Sequence, residues 1–134
     1  MVDSMPGTAI LLIEDTEDLG EMIRDILAME GFEVTWARNG SEGLEFFRRN
    51  GPRLVITDIV MPVMNGLDVV KFIRTSANDN NVPIIILSAK TSPEDLAAGL
   101  AAGASLYLKK PCGGHEIVSA VRTLLSQNDK TQNG

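Results

Sequence analysis

Short apolar runs alternate along the chain with longer stretches in which apolar residues return every three or four positions. The runs are about five residues long and mostly continuous, which is typical of strands buried on both faces of a sheet. The longer stretches have the periodicity of amphipathic helices. This alternation predicts an α/β fold, with helices on both faces of a single five-stranded parallel sheet. The predicted strands are Ala9–Ile13, Phe32–Ala37, Leu54–Thr57, Val82–Leu87 and Leu106–Leu108.

The predicted helices fill the stretches between these strands. The fourth has the clearest start, since Ser92-Pro93-Glu94 combines an N-cap hydroxyl, a proline at the first helical position and an early acid. Its interior contains Gly99 and several alanines, which indicate either a weakly held helix or close packing against a neighbour. The helices are predicted from about Thr16 to Glu30, around Leu44 to Phe47, around Leu67 to Ile73, from Ser92 to about Ala102, and around Ile117 to Leu125.

The length of 134 residues suits one domain. Residues 8–127 are predicted to form it, with a disordered N-terminal segment over residues 1–7 and a flexible polar tail over residues 128–134. The net charge of −6 argues against direct nucleic-acid binding. The single cysteine, Cys112, excludes an intramolecular disulfide. Since no apolar run approaches the roughly 20 residues that span a bilayer and no secretion signal is evident, a cytoplasmic location without membrane binding is predicted.

Polar side chains stand where the predicted strands end. Glu14 and Asp15 follow the first strand, Asp58 the third, Ser88 the fourth, and Lys110 comes just after the fifth. In parallel α/β sheets, ligands bind beyond the carboxyl ends of the strands. If the first, third, fourth and fifth strands are neighbours, these side chains converge at one edge of the sheet.

Three crowded carboxylates repel one another unless a cation offsets their charge. The ligands are all hard oxygens, without a nearby His or Cys, so Mg²⁺ is the predicted cofactor. Mg²⁺ also binds phosphate oxygens, which makes Asp58 the candidate nucleophile toward a phosphoryl group. Lys110 would neutralise a second phosphoryl oxygen, and the Ser88 hydroxyl would donate a hydrogen bond to a third.

Four sequence blocks occur in the order and spacing of one protein family: ILLIEDTED, LVITDIVMPVMNGLDVVKFIR, PIIILSAK and AGASLYLKKP. Through them, residues 8–127 resemble the receiver domain of bacterial two-component response regulators, a CheY-like domain. The resemblance implies a flavodoxin-like (βα)5 topology with strand order 2-1-3-4-5. It also implies that a sensor histidine kinase or a histidine phosphotransfer protein donates the phosphoryl group, and that an unknown output domain or target protein receives the signal.

The resemblance further implies a role for each matching residue. It implies Asp58 as the phosphoacceptor, Glu14, Asp15, Asp58 and the Val60 backbone carbonyl as Mg²⁺ ligands, Ser88 and Lys110 as phosphate-sensing groups, Tyr107 as the switch residue, and Pro111 as the proline of a cis peptide bond. The chain departs from the commonest family pattern at Glu14, where aspartate is more usual, and at Cys112, where phenylalanine often stands.

The expected function is a switch: phosphorylation of Asp58 changes the face formed by the fourth helix, the fifth strand and the last helix. Such a domain is no turnover enzyme, since it catalyses only its own phosphorylation and slow dephosphorylation. One alternative is a small Mg²⁺-dependent phosphatase with an aspartyl-phosphate intermediate, although Val60 stands where such enzymes carry a second aspartate. Another is an interaction domain that works without phosphorylation. Phosphorylation-dependent dimerisation is left open.

Overall fold

Strands and helices alternate along the whole described chain, residues 7–133 of a computed structural model, with side chains described for residues 7–127. The strands are β1 (Ala9–Ile13), β2 (Glu33–Ala37), β3 (Leu54–Thr57), β4 (Ile84–Ser88) and β5 (Leu106–Lys109). The helices are α1 (Glu17–Met29), α2 (Gly40–Asn50), α3 (Gly66–Arg74), α4 (Pro93–Ala102) and α5 (Gly114–Asn133). All strands pair in parallel in the order β2-β1-β3-β4-β5, which confirms the predicted α/β class and strand order.

The two faces of the sheet are covered by separate apolar layers, one against α2, α3 and α4 and the other against α1 and α5. Successive side chains of a strand point to opposite faces. In β1, Leu11 and Ile13 therefore join the first layer, whereas Ile10 and Leu12 join the second. Burial on both sides explains why the central strands read as continuous apolar runs rather than alternating ones.

The strand boundaries differ from the predicted ones by at most two residues, whereas α2 and α5 extend further at both ends than predicted. Among the strands the largest shift concerns β4, which begins at Ile84 rather than Val82 and extends through Ser88. Pro83 has no amide proton to donate, and its carbonyl accepts a hydrogen bond from the Val55 amide at 3.0 Å. The apolar run is thus longer than the paired strand.

The described residues include only part of the two predicted terminal segments. Of the N-terminal segment 1–7, all residues except Gly7 lie outside the described residues, and so does residue 134. The backbone of α5 continues through residues 128–133, which belong to the predicted flexible tail 128–134, and flexibility there stays a prediction. Over residues 7–133, every helix is too short or too polar to cross a bilayer.

Helix α4 is held differently from the other helices, because Gly99 is its one buried residue. A Cβ atom at position 99 would lie 2.9 Å from the Tyr107 ring and 3.0 Å from Ile86 Cδ1. Close packing therefore accounts for this glycine. The helix begins with a capping box, in which the Ser92 hydroxyl accepts from the Asp95 amide at 3.1 Å and the Asp95 carboxylate accepts from the Ser92 amide at 3.3 Å.

Candidate functional site

The loop between β1 and α1 carries two of the predicted carboxylates. Glu14 is 1% exposed, whereas Asp15 is exposed. The Glu14 amide donates to the Ala37 carbonyl at 3.0 Å, which extends the pairing of β1 with β2 by one residue. The Glu14 side chain turns back over the loop, where its Oε2 accepts from the Thr16 amide at 3.1 Å. The loop is therefore fixed by backbone and side-chain hydrogen bonds.

The third carboxylate follows β3 directly. Ile13 pairs with Thr57, so Glu14 and Asp58 leave the sheet side by side. The Asp58 amide donates to the Ile13 carbonyl at 3.2 Å. Asp58 Oδ1 accepts from the Ile59 amide at 2.6 Å and faces the Val60 amide at 3.4 Å. Asp58 is 6% exposed. The backbone binds its Oδ1, while Oδ2 faces the pocket that Lys110 enters.

Lys110 reaches this pair from the end of β5. Its Nζ lies 2.7 Å from Asp58 Oδ2 and 3.3 Å from Glu14 Oε1. The Lys110 amide donates to the Ser88 carbonyl at 2.9 Å, and the Lys110–Pro111 peptide bond is cis, the geometry that the resemblance implies at Pro111. Burial alone would lower the pKa of the ammonium, but the hydrogen bond to Asp58 and the charge of Glu14 outweigh burial and raise it. Lys110 therefore stays protonated.

The three carboxylates form a group suited to a divalent cation. One oxygen each from Glu14, Asp15 and Asp58 lies within 4.8 Å of the other two. The three carboxylates and the Lys110 ammonium beside them together carry a formal charge of −2. Burial raises the pKa of Glu14, and Lys110 offsets part of that effect. A small divalent cation with a preference for oxygen ligands, such as Mg²⁺, fits this donor set by charge and by ligand type.

Ser88 and Tyr107 lie on the neighbouring strands β4 and β5, where Ser88 pairs with Lys109 and Tyr107 with Ile86. Both contact the segment after β4 rather than the carboxylates. Ser88 is 1% exposed, and its hydroxyl accepts from the Lys90 amide at 3.2 Å. The Tyr107 hydroxyl donates to the Lys90 carbonyl. Burial raises the pKa of Tyr107, while the neighbouring Ser88 hydroxyl opposes the shift. Among the described side chains, no hydrogen bond joins Ser88 to Asp58.

Three residues that the sequence did not single out support the site. The Thr57 hydroxyl donates to the Asp58 carbonyl at 2.9 Å. A Cβ atom on Gly66 would lie 1.8 Å from that same carbonyl oxygen, so only glycine fits there. Trp36 Nε1 donates to the Glu14 carbonyl at 2.9 Å. In the sequence, Asn65-Gly66 is a dipeptide typical of turns, but nothing there indicates the close approach at Gly66 or the contact of Trp36.

Comparison with known proteins yields consistent matches. A family model described as the response regulator receiver domain matches residues 10–122. The DNA-binding response regulator MtrA of Mycolicibacterium paratuberculosis is 39% identical over 120 residues, 90% of this chain and 52% of that protein. The transcriptional regulatory protein PrrA of Mycobacterium tuberculosis is 40% identical over 122 residues, 91% of this chain and 52% of that protein. A solved receiver domain protein (CheY-like) from Methanospirillum hungatei has a TM-score of 0.88 at 25% identity, over 93% of this chain and 98% of that one.

The relatives correct one prediction. The chain spans about half of the length of the curated relatives that it matches. The prediction of no direct nucleic-acid binding is wrong, because MtrA is named a DNA-binding response regulator. The net charge of −6 describes the residues of this chain alone. It carries no information on the half of MtrA that has no counterpart here.

Proposed function

Because the chain belongs to the response regulator receiver domain family, we propose that Asp58 is the residue that accepts the phosphoryl group of a two-component signal. The observation that carries the proposal is the contact of 2.7 Å between the nearly buried Asp58 carboxylate and the Lys110 ammonium, inside a group of three carboxylates. A structural ion pair would not require two further acids beside it. Such a cluster suits a site where negative charge is brought in and neutralised.

The transfer step is a displacement at phosphorus. A carboxylate oxygen of Asp58 attacks the phosphorus of a phosphohistidine on a sensor histidine kinase or a phosphotransfer protein. The new O–P bond forms as the N–P bond breaks, and the imidazole nitrogen of the donor keeps the electron pair. The Ile59 amide, at 2.6 Å, orients Asp58 through Oδ1. Lys110 is already at Oδ2 and needs only a small shift to reach a phosphoryl oxygen.

The carboxylates of Glu14, Asp15 and Asp58 would hold Mg²⁺. The family resemblance implies the Val60 backbone carbonyl as a further ligand. When bound, Mg²⁺ supplies positive charge to the oxygens of the transferred group. Glu14 keeps its place through the Thr16 amide, and Lys110 limits repulsion between Glu14 and Asp58. In this proposal the domain catalyses only its own phosphorylation and slow dephosphorylation.

The signal leaves the site through Ser88 and Tyr107. A phosphoryl oxygen on Asp58 would accept a hydrogen bond from the Ser88 hydroxyl and draw it away from the Lys90 amide, which donates to its oxygen at 3.2 Å. Tyr107, whose hydroxyl donates to the Lys90 carbonyl, would then move inward with the segment before α4. Reversing a ratio of states from 1:99 to 99:1 needs about 5.5 kcal/mol. Hydrogen bonds to a charged group contribute about 1.5–3 kcal/mol each, so two at the upper end of this range, or three of about 2 kcal/mol, supply this amount.

The face of α4, β5 and α5 would pass this change to the output. Since MtrA is named a DNA-binding response regulator and PrrA a transcriptional regulatory protein, we propose DNA binding by an output domain as the regulated activity. Dimerisation on phosphorylation through this face is one route to it. A cytoplasmic location also belongs to the proposal, because the phosphoryl donors of such systems act there.

The proposal is tested by intact mass spectrometry after incubation with acetyl phosphate and Mg²⁺. We expect the wild-type chain to gain one phosphoryl group, and to gain none when EDTA removes the metal. Asp58→Asn should abolish the gain. Asp68→Asn, on the exposed first turn of α3, should keep it and serves as the matched control. Unchanged labelling of Asp58→Asn would contradict the proposal.

A further inference from the structure

We infer that Trp36 is a positioning residue for the metal site, which it serves by binding the backbone of the loop that carries Glu14 and Asp15. The inference rests on the proposed Mg²⁺ site and adds a residue outside its ligand set. Trp36 lies in β2, opposite Leu12 of β1, and so occupies an outer strand of the sheet. Its indole reaches beyond the end of β1 to the loop.

The hydrogen bond joins the indole Nε1 of Trp36 to the Glu14 carbonyl at 2.9 Å. On its other side, the Glu14 amide donates to the Ala37 carbonyl at 3.0 Å. Both polar backbone groups of Glu14 are therefore bound to the same strand. The Glu14 carbonyl belongs to the peptide group that leads into Asp15, so the indole sets the orientation of the plane from which Asp15 departs.

Asp15 depends on this backbone more than the other two acids do. Lys110 and the Thr16 amide bind the Glu14 carboxylate, and Lys110 and the Ile59 amide bind that of Asp58. Within the described part of the chain, the exposed Asp15 carboxylate takes part in neither a hydrogen bond nor an ion pair. The placement of Asp15 therefore depends on the backbone that carries its Cα rather than on contacts of its own carboxylate.

The ring of Trp36 is itself held in place from several sides. Gly20 of α1 lies so close that a Cβ atom there would stand 2.1 Å from the ring. The Arg38 guanidinium lies 4.0 Å from the ring centroid and pairs with Glu17 at 3.5 Å, and the Arg24 guanidinium lies 5.5 Å from the centroid. These contacts restrict the indole to the orientation in which its N–H faces the Glu14 carbonyl.

The experiment removes the N–H and keeps the shape. Trp36 is the chain's single tryptophan, so biosynthetic replacement of tryptophan by benzothienylalanine, in which sulfur replaces the N–H, changes this residue alone. The Mg²⁺ dissociation constants of both proteins are measured by NMR titration of backbone amides. We expect the analogue to bind Mg²⁺ about tenfold more weakly, the size of effect that partners of metal ligands usually have. Gly20→Ala, which displaces the ring but retains the N–H, should weaken binding in the same direction.

A second measurement uses the wild-type protein without metal. Its one indole N–H resonance should exchange with solvent more slowly than that of free tryptophan. If wild type and analogue bind Mg²⁺ with affinities equal within about twofold, the positioning role is overturned. A lower melting temperature of the analogue would not change that conclusion. Exchange at the rate of free indole would overturn it as well. If the wild type itself gives no saturable Mg²⁺ response, the proposed metal site fails, and the role of Trp36 fails with it.

Discussion

At the scale of single residues, the site requires a glycine at position 66 as well as its charged groups. Gly66 opens α3, and its amide donates to the Ile59 carbonyl at 2.9 Å, which folds the loop back under Asp58. Any side chain there would collide with the Asp58 carbonyl oxygen at 1.8 Å. The backbone at Asp58 and the start of α3 therefore pack tightly against each other.

Gly66→Ser should therefore destabilise the fold by about 1–3 kcal/mol, the usual cost of forcing an atom into a packed region. Gly113→Ser is the matched control, because a Cβ atom there meets nothing within 4 Å and serine is a favourable residue before a helix. Urea unfolding followed by Trp36 fluorescence measures both. Equal stability of the two variants would contradict the close approach at Gly66.

Cys112 is expected to be unreactive in the folded protein. It is 9% exposed, and burial, with Glu116 nearby, raises the pKa of its thiol to about 11. Because the thiolate is the reactive form, alkylation by iodoacetamide at pH 8 should be slow and should accelerate as the pH rises toward 11. Guanidinium chloride should restore ordinary reactivity. Rapid stoichiometric labelling of the folded chain at pH 8 would refute this expectation.

At the scale of elements, Arg74 connects three segments that follow one another in the chain. It is the last residue of α3, its Nε donates to the Gly103 carbonyl after α4, and its Nη1 donates to the Asp79 carbonyl before β4, each at 3.0 Å. The far end of α4 is thus anchored, while its first turn adjoins the segment bound by Tyr107 and Ser88. This arrangement allows the first turn to move more than the last.

Arg74→Met should lower the free energy of unfolding by about 1–3 kcal/mol, because it leaves two carbonyls without their charged donor. Arg49→Met provides the control, since Arg49 is an exposed residue paired with Glu45 at 3.1 Å, and such pairs contribute only about 0.3–0.5 kcal/mol. Thermal and urea unfolding distinguish the two effects. A loss for Arg74→Met no larger than for Arg49→Met would contradict the anchoring role.

The strands and helices could be predicted from the sequence, but the contacts between them could not. Periodicity predicted five strands and five helices, because burial on one or both faces is a local pattern in the chain. It left open whether Gly99 marks a weakly held helix or close packing, since the deciding contact is with the Tyr107 ring on a neighbouring strand. The contacts of Arg74 likewise span up to 29 residues and leave no local signal.

At the scale of the whole molecule, parallel pairing brings together side chains that are up to 96 residues apart in sequence. Strand ends predicted Glu14, Asp58 and Lys110 as neighbours, although the strand order came from the family resemblance rather than from the residues. The contact of Trp36 with the loop could not be predicted, because it depends on the reach of an indole across the sheet. The charged side chains at the carboxyl ends of the strands could be predicted from the sequence, whereas the contacts that hold the surrounding loops could not.

The central claim is that the phosphoryl group is carried by Asp58, and reductive trapping tests it most directly. Wild-type protein treated with acetyl phosphate and Mg²⁺ is reduced with borohydride, which converts a phosphorylated aspartate to homoserine, and is then mapped by peptide mass spectrometry. We predict homoserine at position 58 alone, and none when Mg²⁺ is withheld. Homoserine at position 15, or unmodified Asp58 in a chain that has gained a phosphoryl group, would contradict the account.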